Sequence, residues 1–75
     1  MPALSEFLPA ERADPRTIEA REGLGVAEFT RVLNLPSPEI HALAKAAFVA
    51  GDRKLHDRLL HLGWLRNRFL KREGR

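Results

Sequence analysis

Seventy-five residues suffice for one small domain, and a chain of that size buries only about 60% of the surface its unfolded form exposes, so one thin core must hold it, with self-association as a further source of burial. The absence of cysteine excludes disulfide staples and a cysteine zinc site and fits a reducing compartment; the opening "MPALSEFLPAERADPR" lacks the basic-then-apolar order of a signal peptide, and no run approaches the roughly 20 apolar residues of a membrane span, so a soluble, cytoplasmic protein without membrane contact is expected. The formal net charge of +3 is unevenly placed: residues 1–51 carry five basic and seven acidic groups, residues 52–75 eight basic and three acidic, a positive field suited to phosphate or to an acidic protein surface.

Residues 1–13 have no sustained period and read as irregular or as a short N-terminal helix. Leu4, Phe7 and Leu8 are spaced for one amphipathic turn over the core, which Pro9 would end. Asp14 then Pro15 is a helix start, because aspartate caps free N–H groups and proline costs nothing at the first helical position. That helix is expected over 15–22, with Gly23 as its left-handed stop. A second short helix is expected over 26–33, with Val26, Phe29 and Leu33 inward and Glu28 and Arg31 outward. Asn34 suits a left-handed exit, after which Leu35 turns back to the core.

Ser37 as N-cap, Pro38 and Glu39 restart the helix, and Ile40, Leu43, Ala44, Ala47 and Phe48 form its expected buried stripe. Gly51 and Asp52 read as a stop and a new cap. The segment 52–72 is a basic amphipathic helix with Leu55, Leu59, Leu62, Leu65, Phe69 and Leu70 on one broad face. Gly63 costs it about 1 kcal/mol relative to alanine, yet the apolar face keeps its phase across the glycine, so one continuous helix is expected. With no strand-like alternation, the fold class is all-α: a single domain over 1–75, a small bundle of four to five helices with residues 15–50 forming a helix-turn-helix core.

Around the turn at Asn34, Phe29, Leu33, Leu35, Ile40 and Leu43 occupy the inward positions of two helices crossing steeply, with Thr30 as the small residue where they touch. The stretch "TIEAREGLGVAEFTRVLNLPSPEIHAL" resembles the repressor-type helix-turn-helix domains of bacteria and phages over residues 16–48, Arg21, Glu22 and Gly23 matching the end of that family's first helix. The resemblance implies a dimeric DNA-binding protein, a transcriptional regulator or accessory factor on double-stranded DNA, with the helix from Pro38 in the major groove. Ser37, His41 and Lys45 would lie nearest the bases, and Arg53, Lys54, Arg58, Arg68, Lys71 and Arg72 would meet phosphates. The outward positions Pro38, Glu39, His41, Ala42 and Lys45 hold no arginine for guanine and no amide for adenine. The same skeleton also serves a helical hairpin used only for packing.

Leu60 and Trp64 fall opposite the leucine stripe, flanked by Arg53, Arg68 and Lys71. They are expected to form a homodimer interface. The rival is a protein-binding adaptor or inhibitor that docks an acidic partner on this ridge without touching DNA. Basic groups in one stripe alongside the 38–45 helix favour DNA, and a stripe on its far side favours the adaptor. Arg66, inside the leucine face, is expected to snorkel or to pair with an acidic group of the N-terminal half.

No metal site is expected: His56 and His61 are separated by about 140° around a helix, and Asp57 with His61 reads as a solvated pair. With no phosphate loop, no HExxH and only Ser5 and Ser37 as serine nucleophiles, neither an enzyme nor a cofactor is expected.

Overall fold

Proline, aspartate and glycine set the helix boundaries. The computed structural model describes residues 6–74 and comprises α1 (Pro9–Ala13), α2 (Pro15–Leu24), α3 (Val26–Leu33), α4 (Ser37–Val49) and α5 (Arg53–Arg72). No strand occurs among the described residues, so the chain is all-α. Asp14 caps α2 by accepting the Arg16 N–H at 2.8 Å, and Asp52 caps α5 by accepting the Leu55 N–H at 3.1 Å. Gly51, at φ 83°, makes the reversal between α4 and α5. Helix α5 runs unbroken through Gly63.

Four local expectations are corrected. Pro9 begins α1 instead of ending a turn, and Glu11 accepts the Leu8 N–H at 3.1 Å across that first turn. Of the apolar trio before it, Phe7 is buried, Leu8 is exposed and Leu4 lies outside the described residues. Helix α2 continues through Gly23 to Leu24, and the left-handed residue is Gly25 at φ 85°. Gly23 serves another purpose, since a Cβ there would fall on the Arg58 guanidinium that lies over α2. Asn34 stays at φ −97°, and its amide donates to the Thr30 carbonyl at 2.8 Å, which satisfies an end of α3 without a left-handed residue. Ser37 is the first residue of α4, after Pro36, and makes no cap; its hydroxyl donates to Asn67 Oδ1 at 3.1 Å and ties α4 to α5.

The core forms around α5. Leu59, Leu62, Leu65 and Phe69 are buried against Ala20 of α2, Phe29, Val32 and Leu33 of α3, and Ile40, Ala44 and Ala47 of α4. Phe7 closes one end on Phe69, ring centroids 5.7 Å apart. Helix α4 packs mainly on α5, and α3 packs on α2 and α5, leaving an apolar groove between α3 and α4. The inward face of α3 is therefore Phe29, Val32 and Leu33, and Val26 is exposed, against expectation. Thr30 is likewise exposed and makes no helix crossing. Helix α4 meets Gly63 of α5 at Ile40 and His41, and a narrow face of Ile40, Ala44 and Ala47 is buried while Leu43 and Phe48 are left at the surface. Among the described residues Arg66 has no acidic partner: its Nη1 donates to the Leu33 carbonyl at 3.1 Å, at the C-terminal end of α3.

A Cβ at Gly63 would meet Ile40 Cγ2 at 3.7 Å, an ordinary contact. Gly63→Ala should therefore raise stability by about 1 kcal/mol through helix propensity, read as a higher midpoint in urea unfolding; a lower midpoint contradicts this packing.

Candidate functional site

The cations that crowd α5 in sequence are distributed around it by the helical period, and one flank meets the carboxylates of α1 and α2. Glu11, only 4% exposed, is the focus. It accepts from Arg68 Nε at 2.8 Å and from Arg72 Nη1 at 2.8 and 3.0 Å. Burial pushes its carboxyl up, but the hydrogen bonds from Arg68, the Leu8 N–H and Arg72 outweigh that and hold it below its ordinary value. Nearer the start of α5, Arg58 Nε donates to Glu19 Oε2 at 2.9 Å, and this bond lowers the Glu19 carboxyl and raises the Arg58 guanidinium. Asp14, hydrogen-bonded by the Arg16 side chain and N–H, is held down to about 2.

Trp64 sits at the head of α2. The residue is 39% exposed, with the Arg68 guanidinium 4.9 Å and the Arg16 guanidinium 5.3 Å from its ring centroid. The His61 ring stacks on it at 5.4 Å. His61 is buried, not the solvated partner of Asp57 expected from spacing; its Nε2 and Thr17 Oγ1 share a hydrogen bond of 2.7 Å. Asp57 instead turns to His56 at 3.0 Å and Arg53 at 3.7 Å. Burial, then the Arg16 charge, lowers the His61 pKa, with Asp14 opposing.

Leu60, 44% exposed, is a ridge between two shallow grooves. On one side lie His41, Lys45, Phe48 and His56. On the other lie Pro15, Arg16, Glu19, His61 and Trp64. Phe48, Leu60 and Trp64 thus form an exposed apolar strip, with Lys45 on one margin and Arg16 and Arg68 on the other.

The residues expected at DNA are not gathered in one place. Ser37 is bonded to Asn67, His41 lies beside Gly63, and Lys45 is exposed on α4. Arg58, Arg68 and Arg72 are held by Glu19 and Glu11, and Arg53 approaches Asp57. Lys54 and Lys71 are exposed and make no ion pair within 4 Å among the described residues. No family model, curated protein or solved structure matches the chain. No helix among the described residues is long and apolar enough to cross a membrane.

Glu11, Glu19, Arg16 and Thr17 belong to this surface and were not marked by sequence reasoning. Their partners lie 39 to 61 residues away, except that Arg16 also pairs locally with Asp14, so no spacing rule reaches them. The opposite charge of the two halves was the only signal.

His61 is stabilised in its neutral form, so it contributes stability above its ordinary value of 6.5 that is lost as pH falls toward its lower folded value. NMR titration of the His61 ring should give a pKa below 6.5, and the melting temperature should drop from about pH 7 to about pH 5 more steeply than in His61→Gln. A His61 pKa at or above its ordinary value contradicts this burial.

Proposed function

We propose that this protein is a protein-binding adaptor whose α4–α5 face docks an acidic, amphipathic segment of a partner. The observation that carries the reading is the exposed strip Phe48, Leu60 and Trp64, with Lys45 on one margin and, on the other, Arg16 and Arg68 over the Trp64 ring, each also ion-paired within the chain, to Asp14 and Glu11. An apolar centre with a charged rim is the arrangement by which interfaces gain affinity from aromatic anchors and selectivity from charge. A DNA-reading arrangement would instead align arginines beside Ser37 and His41, whereas Arg58, Arg68 and Arg72 lie on the flank of α5 that meets Glu19 and Glu11. The reading face of α4 offers His41, Lys45 and Glu39, with no bidentate donor for guanine.

Trp64 is the single tryptophan and reports directly on this face. Its fluorescence should respond to a helical peptide bearing leucines at i, i+4 flanked by glutamates, with affinity that falls as salt rises. Leu60→Glu should weaken that binding at least tenfold, about 1.4 kcal/mol, and is cleaner than Trp64→Ala because Trp64 also packs on His61. Equal binding of the peptide with lysines in place of glutamates, or tight duplex DNA binding indifferent to Leu60→Glu, overturns the reading.

A further inference from the structure

Helix α1 is five residues long, too short to persist without outside contacts, because a first helical turn fixes several residues for a single hydrogen bond. Its joint to α5 is made by side chains. Phe7, just before it, packs on Phe69 and lies under the Arg72 guanidinium, 5.9 Å from its ring centroid. Four residues on, Glu11 Oε2 accepts from Arg68 Nε and Arg72 Nη1, both at 2.8 Å. Arg68 and Arg72, one turn apart on α5, thus form a fork around one carboxylate, with a seat for an aromatic ring beside it.

At its other end α1 joins α2 through Asp14, whose backbone is not helical, at φ −57° and ψ 127°. Helix α2 does not depend on α1 for its start. Asp14 caps it through the Arg16 N–H, while the Asp14 N–H reaches back to the Glu11 carbonyl at 3.4 Å, a weak bond. Helix α1 can therefore swing away at Asp14 without unravelling α2. Arg68 also connects the fork to the docking ridge, since the guanidinium that holds Glu11 lies 4.9 Å from the Trp64 ring centroid.

We infer that α1 is a displaceable strap whose Phe7 and Glu11 occupy an acceptor site on α5, made by Phe69, Arg68 and Arg72, for a partner segment that carries an aromatic residue four positions before a glutamate. The chain's own segment displays the recognition chemistry of that site. Two guanidiniums face one carboxylate there, so the fork selects an acidic occupant, and the Phe69 ring favours a peptide over a bare phosphate backbone. The inference rests on the docking reading above for the nature of the partner: while α1 is bound, Glu11 competes with the partner's carboxylates for Arg68 and Arg72, and its displacement releases both guanidiniums next to Trp64. Held by the single residue Asp14, α1 has an effective concentration on the order of millimolar or higher, so a competing segment binds the intact chain weakly and a chain with a weakened strap more tightly.

A fluorescein-labelled peptide of residues 6–13 is the probe. By anisotropy it should bind full-length Glu11→Gln at least about tenfold more tightly than the wild type; adding Arg72→Met should abolish that binding, and adding Leu60→Glu should leave it unchanged. Hydrogen exchange on the isotopically labelled wild type carries the test if Glu11→Gln unfolds. Unlabelled peptide should speed exchange at the Glu11, Arg12 and Asp14 amides while those of Leu62 and Leu65 stay protected. Equal binding by wild type and Glu11→Gln, no binding to a folded Glu11→Gln up to about 1 mM, unchanged exchange of the α1 amides, or displacement of the strap by duplex DNA and not by the peptide overturns the inference. Because this peptide's binding needs Arg72 and not Leu60, failure of the strap is distinguishable from failure of the Leu60–Trp64 docking reading.

Discussion

The buried Glu11 carboxylate is the contact on which the flank of the molecule depends. Helix α5 has to supply the leucine wall of a thin core and also carry most of the chain's cations, and its arginines need partners wherever they approach the other helices. Glu11 gathers Arg68 and Arg72 and brings α1 onto α5, so that Phe7 can seal the end of the core on Phe69. Glu19 does the same for Arg58 one helix later. Arg66 donates to the Leu33 carbonyl at the end of α3. A carboxylate so enclosed would be costly without these donors, since removing a charge from water is offset only by close, well-aligned hydrogen bonds.

The uneven charge of the sequence therefore acquires a different meaning in the fold. Seen linearly, a basic C-terminal third suggests an outward field for phosphate. In space, the acidic N-terminal half and the basic helix meet: Glu11 takes Arg68 and Arg72 and Glu19 takes Arg58, while Lys45, Lys54 and Lys71 stay exposed without an ion pair among the described residues. The same redistribution gives Trp64 its setting, because Arg16 at the start of α2 and Arg68 on α5 both lie over its ring. Burial, and then the Arg16 charge, lower the pKa of the His61 ring that stacks on it.

Local chemistry was legible wherever the chain itself decides the outcome. Asp14–Pro15, Gly51–Asp52 and the leucine period of α5 predict the helices they produce, because a cap, a positive φ and an amphipathic face each act over a few residues. The sequence places the left-handed stop at Gly23, but that residue is Gly25; the close approach of the Arg58 guanidinium to Gly23 comes from α5, beyond the reach of local spacing. Leu43 and Phe48 were read as core because apolar residues at helical spacing usually are. Only the fold reveals that alanines already fill the narrow contact with α5 and leave the larger side chains outside. Those displaced residues, together with Leu60 and Trp64, are among the large apolar side chains that this small domain leaves exposed.

The central claim is that the cations of α5 act first within the chain. A double-mutant cycle between Glu11→Gln and Arg72→Met, measured by urea unfolding, tests it most directly. The account predicts a coupling of about 1–2 kcal/mol, and additivity within about 0.3–0.5 kcal/mol would contradict it.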